Sequence, residues 1–364
     1  MKSKAVSKIS LILIIIGILF VFSSVISKSL KLNSGISEKS AEYGDSINLD
    51  KEDVKFCAVS EKIHIDNNWT ATKAAGICTG NGTYSDPYVI EDLVIDGKGF
   101  GSCILIENSN VFFKIENCTL FNSTGYHDAG ILLNCTDNGL YIDNDCSSNH
   151  YGIRLINCNN NLIANNSLDN NISGILYQNG YNNTISGNSI NFNSQDGIYI
   201  SIGSYNNISG NTVSYNDNRG IILIFDICHN NIITENIIKK NGYEGLYILD
   251  GYENKIHLNC FIHNSINARD GGSNNAWDNG TIGNYWSNYT GSDENGDEVG
   301  DIPYNISGSA GSQDNFPLIK CPFSAQDGGG IPIELIILIS VISGGALIGI
   351  ATLLLISFKF VKKK

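Results

Sequence analysis

Residues 152–200 read GIRLINCNNNLIANNSLDNNISGILYQNGYNNTISGNSINFNSQDGIYI. Gly152, Gly174 and Gly197 are each followed at once by isoleucine. Two positions beyond that isoleucine stand Leu155, Tyr177 and Ile200. The pattern extends outward to Gly130 on one side and to Gly220 and Gly245 on the other. Its steps are 22, 22, 23, 23 and 25 residues. Positions one and three after each glycine are apolar throughout, which is the period of a strand with one inward face. A second strand in each repeat carries Ile163, Ile185, Ile208, Ile233 and Ile256. Three residues after each comes Asn166, Asn188, Asn211, Asn236 or Asn259, and two after that an apolar residue. Such a coil is one rung of a parallel β-helix, with rungs stacked about 4.8 Å apart. The repeated asparagine predicts an internal ladder, each amide donating to the next rung. The repeated glycine is expected to serve a tight turn into the strand. A leucine-rich repeat has a similar period but needs an L-x-x-L-x-L run and a helical segment, and neither is present.

The outward positions bear on function. Two residues after each glycine stand Leu132, Arg154, Leu176, Tyr199, Ile222 and Tyr247. A solvent-facing strand is not expected to be this apolar. Contiguous apolar surface marks a binding site or something that covers it. Two readings follow. The N-terminal leader or the C-terminal cap lies across this sheet. Or Arg154, Leu176, Tyr199, Ile222 and Tyr247 form a groove for an extended ligand, with the two tyrosines stacking on sugar rings and Arg154 at one end.

Charged residues are 16% of the 364 positions, against about 25% in an average globular domain. Net charge is -13, with no basic footprint, which excludes a nucleic-acid partner. Residues 1–28 read as a signal peptide or signal anchor, with an uncharged run at 9–27 behind three lysines. Residues 335–358 are 24 positions without a charge, enough to span a bilayer as a helix. The basic flanks of both segments place both ends in the cytoplasm and the body outside. Without its seven flanking lysines the remainder carries -20. Residues 29–55 read as a polar leader, 56–282 as the β-helix with its N-terminal cap, and 283–323 as a C-terminal cap with an acidic loop. Residues 324–334 read as a linker and 359–364 as a cytoplasmic basic tail. Twelve N-x-S/T sequons, Asn171 among them, permit glycosylation of an exterior protein.

The segment Gly80-x-Gly82-Thr83 followed by Asp86-Pro87-Tyr88-Val89-Ile90-Glu91 resembles the opening of NosD-like β-helix proteins. So does the ending GNYWSNYTGSDENGDEVGDIPYNI at 283–306, with QDNFPL at 313–318. The resemblance covers roughly residues 60–320. It implies an all-β, right-handed parallel β-helix of the type found in carbohydrate-binding proteins and sugar hydrolases, often membrane-anchored on archaeal surfaces. The family name comes from a periplasmic protein linked to copper delivery. Copper favours Met, His and Cys clusters, and Met1 is the sole methionine, so copper is not expected.

Asp293, Asn295, Asp297, Val299 and Asp301 place oxygens at alternate positions, the spacing of a calcium loop, with Val299 offering its carbonyl. Glu298 stands where that pattern favours glycine. His257-x-x-Cys260-x-x-His263 has a metal-like spacing, although strand alternation sets His257 and Cys260 on opposite faces unless the chain turns. Among ten cysteines, Cys135 with Cys158 and Cys57 with Cys78 are candidate pairs. Asp196, Asp217 and Asp226 are the nearest candidate acids, with Arg154, Arg219 and Lys255 as possible bases. Asp196 and Arg219 read as a surface ion pair, and no carboxylate is seen to recur at one ladder position. The expected function is non-catalytic binding of a glycan or another surface partner. A polysaccharide lyase or hydrolase, and a structural envelope component, are the alternatives.

Overall fold

The computed structural model describes residues 58–323. The expected segments at 1–28 and 29–55, the linker, the spanning segment at 335–358 and the basic tail lie outside the described residues. Among the described residues no helix is long and apolar enough to cross a membrane.

The body is an all-β parallel solenoid with three strands per rung. One face is a nine-stranded sheet running from Ile63–Asp66 to Ile266–Asp270. A second is eight-stranded, from Tyr88–Glu91 to Lys255–His257. The third begins as a three-stranded sheet, Ala58–Ser60 to Thr119–Phe121. It continues through single bridges at Asp145 and Ser167 and resumes as five strands from Ser189–Asn191 to Tyr285–Trp286. Each chain return lands in register, because a one-residue slip would turn every apolar side chain outward. Thus Ile131, Ile153, Ile175, Ile198, Ile221 and Leu246 pair in sequence and are all fully buried. Each such side chain contributes about 1.5–3 kcal/mol by leaving water. At the N-terminal end the short helix Trp69–Ala74 closes the coil. Its Trp69 ring stacks on Tyr88 at 5.0 Å, and the indole N–H donates to Ser109 Oγ.

The asparagine ladder exists, and there are three of them, one at each corner. In one, Asn166, Asn188, Asn211, Asn236, Asn259 and Asn284 form a continuous chain. Each residue gives both its backbone N–H and its side-chain amide to the Oδ1 of the next rung. Asn188, for example, reaches Asn211 Oδ1 at 2.9 Å by both routes. Its amide also caps the Ile163 carbonyl. Apart from Gly283 before Asn284, the residue before each ladder asparagine takes a left-handed backbone, as at Asn165, Phe192, Tyr205, Glu235 and Lys240. This conformation costs a non-glycine residue about 1–2 kcal/mol. It turns the corner so that the following asparagine points inward.

The repeated glycine has a different role from the expected one. Gly152 and its equivalents are not among the residues with positive φ. A Cβ at Gly152 would stand 2.6 Å from the Gly174 carbonyl oxygen of the next rung. Close stacking of the backbone, and not freedom of rotation, demands glycine there.

A donor chain of this kind needs an acceptor at its end, and a carboxylate accepts without donating. Two ladders end on aspartates. Asn284 N–H donates to Asp314 Oδ2 at 2.7 Å, and the Asn275 amide donates to Asp270 Oδ1 at 3.0 Å. Each carboxylate also takes an indole N–H, from Trp286 and Trp277 respectively. Burial outweighs these hydrogen bonds at Asp314 and pushes its pKa up to about 6. The Cys260–Cys321 disulfide fastens the C-terminal cap to the coil.

Two outcomes follow. Asn211→Ala leaves the Asn188 donors and the Ile185 carbonyl without partners, and urea denaturation should show a loss of about 3 kcal/mol. Asp314 binds its proton more tightly folded than unfolded, so its contribution to stability falls as pH rises from about 4 through 6. The difference in melting temperature between wild type and Asp314→Asn should change across that interval and flatten above it.

Candidate functional site

The outward ladder of the nine-stranded sheet is assembled in the expected register. Arg154, Leu176, Tyr199, Ile222 and Tyr247 are neighbours on successive rungs. Leu132 precedes them and Arg269 follows. The continuous apolar stripe is not what this face presents. Leu176 is 8% exposed and Ile222 4%, while Arg154, Tyr199 and Tyr247 are half-buried. At about 4.8 Å per rung, the long side chains on either side lean over the short ones between them. The surface is therefore tyrosine and arginine over an aliphatic floor. The C-terminal cap does not supply a cover by pairing across this sheet. It bridges to the last rungs, Ser307 to Arg269 and Leu318 to Tyr285. The leader lies outside the described residues.

The arginines decide the character of the face. The chain contains three, Arg154, Arg219 and Arg269, and all three lie on or at the edge of this sheet. Each sits over a tyrosine ring: Arg154 over Tyr151 at 5.7 Å, and Arg219 and Arg269 over Tyr247 at 5.3 and 5.8 Å. Asp196 and Arg219 do not form a surface pair. Asp196 is 4% exposed, its Oδ1 accepts the Arg219 backbone N–H, and the guanidinium stands 3.7 Å away. Glu244, 3% exposed, lies between Arg219 and Arg269 at 3.1 Å from each. Asp196, Arg219 and Glu244 each precede the repeat glycine of their rung, so a carboxylate does recur at one ladder position, two rungs apart. The alternation of sign, acid then base then acid, was the signal in the sequence. Burial raises the pKa of Asp196 and that of Tyr199. Asp217, Asp226 and Lys255 take no part in this network.

Elsewhere the expected chemistry changes. Cys260 is in the disulfide, so it is not available between His257 and His263 as a ligand. Cys135 is exposed and Cys158 buried, and they are unbridged. They sit one residue out of register, because Asn134 pairs with Ile156, so the alternation of the strand turns them to opposite faces. Cys78 is buried, and its candidate partner Cys57 lies outside the described residues. The Asn171 sequon is buried in a ladder, where its Oδ1 accepts the Asn149 N–H at 2.8 Å, so it cannot meet a glycan in the folded chain.

Asp293, Asn295, Asp297, Val299 and Asp301 share one exposed turn that closes on itself. Asp293 accepts the backbone N–H groups of Gly296, Asp297 and Glu298, Asn295 accepts that of Asp297, and Asp297 accepts that of Val299. Asp301 accepts the N–H of Glu294. Beside this cap lie two adjoining hollows of about 340 and 410 Å³ that share Asn288, Tyr304 and Ser307, at the C-terminal end of the nine-stranded sheet.

The NosD family model, described as a periplasmic copper-binding protein, matches residues 92–291. The chain belongs to the NosD family. No curated protein matches it. Among solved structures it is similar to a mutant of the periplasmic alginate epimerase AlgG, at 18% identity over 56% of this chain and 64% of that one, with a TM-score of 0.44. It is also similar to the A-module of the Azotobacter vinelandii mannuronan C-5 epimerase AlgE4, at 12% identity over 52% and 60%, with a TM-score of 0.40. Pectate lyase Pel9A matches at 12% identity over 73% and 80%, with a TM-score of 0.42. The matches span under two thirds of the two epimerase chains. At such identities and scores the likeness goes no further than a coil of parallel strands. Among the described residues no group of three or more His, Cys, Asp or Glu is placed to hold a metal. Burial raises the thiol pKa at Cys103, Cys146, Cys158 and Cys228, which disfavours the thiolate a soft metal needs.

Glu244→Ala removes the buried carboxylate between Arg219 and Arg269 and should cost about 1–3 kcal/mol in urea denaturation, less than for a fully buried pair because both guanidiniums reach solvent and Arg219 keeps Asp196. Arg154→Gln, which breaks no ion pair, should cost about 1 kcal/mol or less.

Proposed function

We propose that this NosD-family chain is a non-catalytic glycan-binding protein of the cell exterior, held at the membrane by residues 335–358. The observation that carries the reading is the half-buried Tyr199 and Tyr247, two rungs apart on one ladder line, with Arg154 on the same line two rungs before Tyr199. That places the two tyrosines about 9.6 Å apart along the coil, with Arg154 the same step before them. Tyrosine offers an apolar face to the C–H side of a sugar and a hydroxyl to its polar edge. The rings are held by rigid strands and by the arginines beside them, so little order has to be gained on binding. An extended polymer fits such a row better than a compact ligand does.

The arrangement of carboxylates favours binding over hydrolysis. A glycosidase needs two acids facing a shared gap across the scissile bond. Asp196 and Glu244 are buried, and the Arg219 guanidinium stands between them. Both serve to orient arginine.

The full-length protein should be retained by at least one member of a polysaccharide panel, with and without calcium, and should release no new reducing or unsaturated chain ends. Tyr199→Ala and Tyr247→Ala should each weaken binding about tenfold while melting temperature stays near that of the wild type. New chain ends would replace this reading with an enzyme. Retention that ignores both substitutions would move the site elsewhere, and no retention would favour a structural or protein-binding role.

A further inference from the structure

Arg154 differs from the other two arginines in a way that specifies the ligand. Arg219 and Arg269 are neutralised from behind by Asp196 and Glu244. Among the described residues Arg154 has no carboxylate within ion-pair distance. Its neighbours are neutral acceptors. Nε and Nη2 donate to Gln178 Oε1 at 3.3 and 2.9 Å, and Nη1 donates to the His127 carbonyl at 2.9 Å. A guanidinium has five N–H groups. Three are engaged here, which leaves one on each terminal nitrogen, the pair that grips a carboxylate with two parallel hydrogen bonds. The group is half-buried, and burial lowers its pKa, as expected where a charge lacks a counterion. The nearest acid that acts on it is Asp128, at longer range, and His127 and His150 border the same corner.

The surroundings define the rest of the ligand. Leu132 and Leu176 flank Arg154 on the adjoining rungs. The Tyr151 ring lies beneath the guanidinium, and Tyr199 follows two rungs on. One uncompensated cation is thus set among aliphatic and aromatic surface, in a chain whose net charge is -13. That net charge opposes diffuse attraction of a polyanion, so on this face the uncompensated guanidinium is the point suited to meet an anion.

We propose that the glycan is a polyuronate: a sugar carboxylate pairs with the Arg154 fork while a ring further along the chain lies over Tyr199, two rungs on in the same ladder line. This rests on the glycan-binding reading above and adds the substrate class to it. The structural cost of an unpaired, half-buried arginine is offset when the carboxylate arrives.

The test uses the full-length protein and oligomers of galacturonate, mannuronate and glucuronate, each beside its carboxyl-reduced, neutral counterpart. The reduced oligomer keeps the ring and linkage and loses only the charge. At least one uronate oligomer should bind tenfold or more tightly than its reduced partner. Arg154→Gln should abolish that preference, reducing the ratio of the two affinities to about one. Lys255→Gln, an equal change of charge on another sheet, should leave the preference intact. Equal affinity for both members of every pair, or a preference that survives Arg154→Gln, would overturn the inference. If only neutral glycans from the panel are retained, the polyuronate inference fails and the glycan-binding reading stands. If no glycan is retained, both fail.

Discussion

A carboxamide that accepts from the rung before it and donates to the rung after it is the contact on which the rest of the coil depends. Stacking parallel rungs buries three corners, where the backbone has no strand partner to satisfy its N–H and C=O groups. An asparagine side chain supplies two donors and an acceptor in a short, planar unit. That is what a corner needs, provided the asparagine points inward. The left-handed residue before it supplies that direction, even where it is Phe192, Tyr215 or Lys240. The ladder therefore fixes the register. The register in turn places Arg154, Tyr199 and Tyr247 on one line, and through it a turn chosen for hydrogen bonding determines the surface chemistry.

The polarity of the ladders has a consequence at their end. The backbone N–H and one amide N–H of a ladder asparagine go to the next rung, while the other amide N–H caps a carbonyl of the rung before. In two ladders the last donors meet Asp314 and Asp270, each fixed by an indole N–H. The cap is a chemical terminus for the hydrogen-bond chain as well as a cover for apolar surface, and the disulfide from Cys321 to Cys260 closes it over the coil. Trp286 and Asp314, which end one ladder, both lie in the ending 283–318 that carries much of the resemblance to NosD proteins.

The coil was legible because its physical cause repeats. Ile and Asn recur at nearly constant spacing since each must occupy the same place in every rung. The left-handed corners were not legible, because Asp143, Gly187, Phe192 and Lys240 share a backbone shape and no side-chain property. The register of the outward ladder is legible in the sequence, but not its surface, since Leu176 and Ile222 are buried between the longer Arg154, Tyr199 and Tyr247. Glu244 does not stand out as a recurring acid because the charge alternates in sign along its ladder. The disulfide partner Cys321 lies in the cap, where no period predicts a position.

The central claim is that the tyrosine–arginine sheet is the ligand-bearing face. Hydrogen–deuterium exchange of the full-length protein, with and without a saturating retained glycan, tests it most directly. The account predicts added protection over Tyr151–Ile156, Ile198–Ser204 and Glu244–Ile248, and none over the eight-stranded sheet at Asn207–Ser209 or the third face at Ile237–Lys239. Protection on either of those faces, with the nine-stranded sheet unchanged, would contradict it.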